Sequence, residues 1–343
     1  MASSKFRKVQ VGHQSAFGTA VAPTIQLPMT GTYEDKSQVH VAEYDAGTWT
    51  PTTIVAKVAS ETAMTLEGTA FFEVLPVLLS SGLEAVTASG TPPAAVHTYT
   101  ISPAAIATPK PLTALVGAVG TNIGGTGPAV KLKDLYLKKL TLSGNINDKV
   151  VMVKAELFGT TYDPNTADAG FAFETVSLIP TMEMINSLKG TLKIEDVTTT
   201  GWSFGGLTAF SCAMFDWEWE LGTGIEPSWC QTDNVMTWAG LKYTAPSCTF
   251  KPIIRTSATN YALIKTKSDA RTYQELQYVI AGSDATRSLT LNMTGRWDVV
   301  PTVHDDQDGE LVMKPTFLVE TPHTQTTTPH WMVIVVNSNH IWV

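Results

Sequence analysis

Cysteine is scarce in this 343-residue sequence: Cys212, Cys230 and Cys248, each 18 residues from the next. No CxxC pair occurs, which argues against a structural zinc site, and an odd count gives no disulfide framework. The three read as ordinary core thiols. Charge is sparse as well. Only 16% of residues are charged against 43% hydrophobic, so the surface has to rely on neutral polar groups. The balance is acidic, with a formal net charge of −8. A general nucleic-acid-binding surface needs clustered Lys and Arg, and this composition argues against one. It leaves room for a protein that handles DNA by repelling it. Long apolar runs are missing too: nothing approaches the ~18–20 residues that span a bilayer. The first ten residues, MASSKFRKVQ, are basic but hold no apolar segment of a secretion signal. A soluble protein made in a cytoplasm is expected.

Recognisable chemistry is also missing. None of the seven histidines, His13, His40, His97, His304, His323, His330 and His340, lies in HExxH or beside a cysteine in a nucleophile motif. The stretch His304–Glu310 (HDDQDGE) resembles part of a calcium loop. Aligning Gly309 with the EF-hand glycine puts His304 at the first ligand position and Pro315 at the twelfth, where carboxylates are required. It reads as a solvated hairpin tip. Gly120–Gly127 is glycine-rich but lacks the GK[ST] ending of a phosphate loop. Asn292–Thr294 matches a glycosylation sequon without meaning in a chain that is not secreted. The expectation is a protein that is not an enzyme, with no catalytic residue, no metal and no cofactor.

What the sequence does hold is Thr, Ser, Gly and Pro between short apolar runs, the texture of a mainly β protein. Lys57–Gly68 reads as a strand. In Thr69–Leu83, Phe71, Phe72, Leu75, Leu78 and Leu79 recur at helical spacing, with Pro76 expected to kink or shorten the helix and Gly82 to stop it. Ala85–His97 is a loop by composition. His97–Ile101 and Leu112–Val119 are short strand candidates. Asp134–Gly159 is a long antiparallel hairpin turning at Asn145–Lys149. In its second strand Val151, Val153, Ala155 and Leu157 face one way, and Met152, Lys154, Glu156 and Phe158 the other. Phe210–Leu221 is the strongest strand pattern. Ser247–Lys267 reads as further strands and a turn. Ala270–Ala281 is either a short helix or a strand, with Tyr273, Leu276 and Ile280 fitting the helix. Ser288–Glu320 reads as a hairpin with HDDQDG at its tip.

The hairpins over 134–159 and 288–320 occupy corresponding places in two halves, and each carries an LTL run. This weak likeness points to two β-rich modules of similar size, divided near residues 160–180, from a duplication. The bland reading is that antiparallel hairpins look alike.

One constellation stands out. Phe215, Trp217, Trp219 and Leu221 alternate with Asp216, Glu218 and Glu220. The carboxylates allow a glycosidase-type pair, a solvated or lumen-facing row, or a subunit interface. Trp229 and Trp238 are candidates for stacking on a sugar or base, though packing is the commoner use of such residues.

The stretch Val9–Thr24, VQVGHQSAFGTAVAPT, has no helical period and no paired nucleophile. It resembles the N-terminal signature of siphophage major tail tube proteins in Gly12, Phe17, Gly18, Thr19, Ala20 and Pro23. Gln14 stands where that family usually has an acidic residue. The order of elements resembles the family over most of the chain: strand, short helix, closing hairpin, then a similar second half. The resemblance implies a fold of tail-tube-like β-sandwich/barrel modules with short flanking helices, whose subunits close into a ring around an inner β-barrel. It implies an N-terminal arm over 1–24 reaching a neighbouring ring, a first module over 25–170 and a second over 171–343. Gly12, Phe17, Gly18, Thr19 and Pro23 would belong to the arm, ordered by partners rather than by its own core, so that deleting 1–24 would leave folded subunits that stack poorly. Asp216, Glu218 and Glu220 would line the lumen. The implied partners are further copies in stacked trimeric pseudo-six-fold or hexameric rings, the tape measure protein and the tail terminator and baseplate proteins. Viral DNA passes without specific binding, and no membrane is involved. The implied location is the virion tail, assembled in the cytoplasm of a host bacterium. Competing readings are another virion β-protein, of decoration or baseplate type, and a carbohydrate-binding β-sandwich.

Overall fold

Apolar residues in alternation form strands wherever a neighbouring strand takes up their backbone hydrogen bonds. The computed structural model describes residues 7–44, 52–83, 89, 95–101, 108–118, 129–163, 173, 182–197, 204, 207–210, 214–229, 238, 240–298, 305–307, 309–320 and 331–337. These are mainly β. The first half supplies β1 (Arg7–His13), β2 (Ile25–Leu27), β3 (Thr30–Asp35), β4 (Gln38–Tyr44), β5 (Thr52–Ala59), β6 (Thr62–Thr69), helix α1 (Leu75–Leu79), β7 (Ala95–Ile101), β8 (Leu112–Ala118), β9 (Ala129–Asn145), β10 (Val151–Gly159) and β11 (Thr161–Asp163). The second supplies β12 (Gly190–Asp196), β13 (Thr208–Ala209), β14 (Met214–Gly222), β15 (Ile225–Ser228), β16 (Gly240–Tyr243), β17 (Ser247–Arg255) and helix α2 (Ala258–Asp269). It ends with β18 (Gln274–Ala281), β19 (Ser288–Trp297), β20 (Asp305–Gln307), β21 (Glu310–Met313), β22 (Phe317–Val319) and β23 (Trp331–Asn337).

Strand β9 organises the fold because it is 17 residues long and serves two layers. Its first part pairs with β8 and β11, and β8 carries β1 and then β2. Its second part pairs with β10 on one side and β14 on the other. The change of direction falls where Asp134 adopts φ +55° and where the β9–β10 register slips between Glu156 and Leu157. A bulge of this kind bends a strand and re-aims its side chains. The result is an antiparallel run in the order β3–β6–β10–β9–β14–β17. From β17 the pairing passes through β22 to β19, which holds β18 and β23; these in turn carry β12 and β7. Ribbons β4–β5 and β15–β16 stand as separate two-stranded sheets. Among the described residues no sheet closes into a barrel within the chain, and β3 pairs antiparallel with β6.

One apolar cluster runs through both halves. It joins Val9 and Val11 of β1, Leu66 of β6, Leu140 and Leu142 of β9, Trp217 and Trp219 of β14, Phe250 of β17 and Tyr278 of β18. Trp217 packs edge-on against Tyr278 with ring centroids 5.0 Å apart. Fully burying a large apolar side chain contributes about 1.5–3 kcal/mol, so this shared core holds the layers together.

Several sequence expectations need correction. Lys57–Gly68 is not one strand, because the chain breaks between β5 and β6 around Ser60 and Glu61. The α1 helix has only five residues, and Pro76 lies in its first turn. There the missing N–H costs nothing, so Pro76 starts the helix rather than kinking it. Phe71 is outside it, bridged to Met184. Within Ser247–Lys267, β17 is followed not by strand but by α2, whose Ser257 cap accepts a hydrogen bond from Asn260 N. Residues 274–281 are strand, held between β12 and β19. The block 288–320 is no simple hairpin: β19 meets β22, while β20 and β21 form a smaller hairpin docked on β17. The hairpin over 134–159 forms with its turn after Asn145. The glycine-rich loop 120–127 lies outside the described residues, as does His304.

Candidate functional site

The carboxylate row stands on β14, in the middle of the long antiparallel run. Trp217, Trp219 and Leu221 point into the core, and Asp216, Glu218 and Glu220 point away from it. Phe215 departs from the expected apolar face. It occupies a register slip between Met214 and Asp216 and is only half-buried.

Register decides what surrounds the row. Side chains directly opposite on neighbouring strands share a face. One line across the sheet runs Glu67, Lys154, Thr141, Glu220, Thr249, and the next runs Thr69, Met152, Ser143, Glu218, Lys251. A third runs Thr65, Glu156, Lys139, Gly222, Ser247. Together these make a polar face of short hydroxyls and long charged side chains over the apolar core.

The charges on this face are paired. Lys251 Nζ donates to Glu218 Oε1 at 2.7 Å. Lys139 lies 3.0 Å from Glu220, and Lys154 lies 3.3 Å from Glu67 and 4.0 Å from Glu156. Asp216 Oδ2 accepts from Gln307 Nε2 at 2.7 Å. The hydrogen bond from Lys251 to Glu218 raises the lysine's pKa, partial burial opposes this, and the Glu218 and Glu220 charges add to the rise. Exposed pairs of this kind contribute roughly 0.2–1 kcal/mol each. They therefore set the electrostatics of the face, while the tryptophans beneath hold it in place. At one end the face opens into a groove of about 480 Å³ lined by Ser143, Asn145, Asp216, Glu218, Lys251 and Lys314. The three lysines were not singled out from the sequence. Lys154 was visible as an outward residue of its strand, but Lys139 and Lys251 join the row only through register.

At the other end the same alternation continues from Glu156 to Phe158, which is buried with Tyr136, Ile225 and Trp238 in a second, smaller apolar cluster. Phe17 of the N-terminal segment caps it, with its ring 4.8 Å from Trp238. Trp238 is fully buried and so is not a stacking platform; Trp229 is 47% exposed.

The N-terminal segment is built into the fold. Strand β1 pairs along its length with β8, and Val9, Val11 and Gln14 are buried. An arm ordered only by partners is corrected for residues 7–14: their own core orders them, so deleting 1–24 would strip β1 and its partner β8 of their pairing. Gly12 is required by a close approach, since a Cβ there would stand 2.8 Å from Ala22 O. Pro23 is buried beside it. Phe17, Gly18 and Thr19 lie in an exposed turn closed by Thr19 N donating to Ala16 O. Gly18 adopts φ +82°, and its N–H donates to Asp134 Oδ1 at 2.7 Å. Thr160 Oγ1 donates to Asp134 Oδ2. The Gln14 amide completes the set with its nitrogen toward Asp134 Oδ1 at 2.8 Å, because a carboxylate needs a donor there. The signature thus anchors the segment to the bend of β9.

Cys248 is buried, and burial raises the pKa of its thiol. Cys212 and Cys230 lie outside the described residues. Among the described residues no group of His, Cys, Asp and Glu is placed to hold a metal ion, and no helix is long and apolar enough to cross a membrane. The sequence matches no protein-family model and no curated protein.

Proposed function

We propose that the protein is a structural virion subunit, the major tube subunit of a long non-contractile tail, and that the polar face around β14 lines a DNA-conducting channel. The observation that carries this reading is the two-faced run β3–β6–β10–β9–β14–β17, with tryptophans buried beneath and a row of short hydroxyls and paired charges above. A wall that DNA slides along needs a polar surface without clustered free cations. Strands from both halves lie side by side through the β9–β14 pairing, which favours three chains in a pseudo-six-fold ring over six.

Negative-stain electron microscopy of the concentrated protein tests the proposal. Stacked rings or tubes with a stain-filled channel are expected, and end-on averages count the subunits. Isolated rings that never stack would favour a decoration or baseplate role. Monomers at every concentration, together with binding to oligosaccharides, would favour a carbohydrate-binding module built around Trp229.

A further inference from the structure

The lysines of the polar face are held by carboxylates of the same face, and we propose that this local pairing, rather than a bulk negative field, keeps the wall from gripping a polyanion. The proposal rests on the tube reading for its biological sense, since duplex DNA is the polyanion concerned. Across five strands the signs alternate: Glu67, Lys154, Glu156, Lys139, Glu220, Lys251, Glu218. Lys154 lies between Glu67 at 3.3 Å and Glu156 at 4.0 Å. Lys139 contacts Glu220 at 3.0 Å and stands opposite Glu156 in register. Lys251 contacts Glu218 at 2.7 Å and also feels the Glu220 charge. Every ammonium in the ladder is therefore in contact with a carboxylate on a neighbouring strand.

Screening makes this arrangement decisive. At physiological salt the field of an exposed charge fades over about 8 Å. A passing phosphate therefore meets the nearest pair, not the net charge of the chain. It gains a lysine only by displacing that lysine's carboxylate. Glu218 and Glu220 thus act on DNA through Lys251 and Lys139. Lys138, exposed at the bend of β9, is unchanged in every variant below and cancels from the comparison.

The test compares two double variants of equal charge. E218Q/E220Q uncovers Lys251 and Lys139; E61Q/E195Q removes two carboxylates outside the ladder. Each takes the formal net charge from −8 to −6. Binding of a short fluorescent DNA duplex is followed by anisotropy as salt is raised. Each lysine free to meet a phosphate steepens the salt dependence by about 0.9 in log–log slope. E218Q/E220Q is expected to bind more tightly than the parent and to lose about 12-fold more affinity between roughly 50 and 200 mM salt, from two such contacts. E61Q/E195Q is expected to follow the parent. Adding K139M and K251M to E218Q/E220Q should abolish the gain. Equal behaviour of the two double variants, or a gain that survives loss of the lysines, overturns the proposal. Electron microscopy of the same samples is read separately. Tubes with unchanged DNA binding in E218Q/E220Q overturn the pairing and leave the tube reading standing. A gain in binding without tubes supports the pairing and counts against the tube.

Discussion

Replacing Arg287 by alanine should be among the most damaging single changes in the described structure. Arg287 Nε donates to Glu73 Oε1 at 2.9 Å, and Glu73 has no solvent exposure. The second oxygen of Glu73 accepts from Glu183 N at 3.0 Å. Arg287 is 12% exposed and also lies 3.5 Å from Glu183 and 3.6 Å from Asp284. The pair joins the turn before α1 to the loop between β18 and β19, so it fastens the first half to the second. Removing one partner leaves a buried carboxylate with a single remaining donor among the described residues. Broken buried pairs of this kind cost about 3–5 kcal/mol, a large share of the roughly 5–15 kcal/mol that holds a folded protein.

Urea unfolding followed by tryptophan fluorescence measures the effect. With a denaturant slope of about 3 kcal/mol per molar, the loss corresponds to a fall in midpoint of about 1–1.7 M. The double variant E73L/R287A should recover much of it, because an apolar replacement of both partners leaves no buried charge. A midpoint for R287A within about 0.3 M of the parent, which is under about 1 kcal/mol at that slope, would refute the reasoning. It would mean that Glu73 reaches water in solution or finds another cation.

Two further changes follow from the same geometry. Gly12→Ala places a methyl group against Ala22 O and should cost about 1–3 kcal/mol by overpacking; a neutral effect in thermal unfolding would show that residues 22–23 do not cross β1 as described. Acid should also weaken the protein in a defined direction. Burial pushes the Asp196 carboxyl up, but hydrogen bonds from Lys267 and Gln274 and the lysine's charge more than offset it and leave its pKa lowered. Hydrogen bonds from Thr286 lower Asp284, and the hydrogen bond from Lys314 lowers Asp305. Folded values below the unfolded 3.8 mean that the folded state binds fewer protons. The stability these groups contribute is therefore complete above that value and lost as pH falls through the lowered ones. Urea midpoints should hold steady down to about pH 5 and then fall, less steeply in D196N; a midpoint rising towards acid would contradict this sign.

Where a strand pattern is strictly local, the sequence makes it readable. The hairpin β9–β10 and the alternation of β14 were legible because each apolar residue has its partner two positions away on the same strand. Helix α2 was not, and its buried residues explain why. Its fully buried residues are Asn260, Ile264 and Ser268, two of them polar, and its other core contacts, Tyr261 and Leu263, are only partly buried, so the hydrophobic period of 3.6 is too weak to stand out. In β18 two periods compete. Tyr273, Leu276 and Ile280 fit a helix, but Leu276, Tyr278 and Ile280 also alternate, and the strand wins because β12 and β19 bracket it. That contest is settled by strand partners outside the segment itself, those in β12 being far away in sequence.

The polar face illustrates the same limit from the side of chemistry. Asp216, Glu218 and Glu220 were visible as a row of one sign, and read alone they describe a repulsive wall. Their partners come from β9 and β17, and a one-residue slip in either register would turn Lys139 or Lys251 towards the core. The sign of a row on one strand is therefore an incomplete guide to the sign of a sheet. The N-terminal stretch carries the complementary lesson. VQVGHQSAFGTAVAPT shows no catalytic or binding pattern because its polar groups are used internally: Gln14 and the Gly18 N–H converge on Asp134 at the bend of β9, and Phe17 closes the aromatic cluster at the end of the polar face. The segment acts through the strand it pins, since the bend at Asp134 lets β9 leave the β8 layer and run between β10 and β14. A change at Gln14 or Gly18 is thus expected to act on the face by loosening the strand that carries Lys139, with no group of the face itself altered.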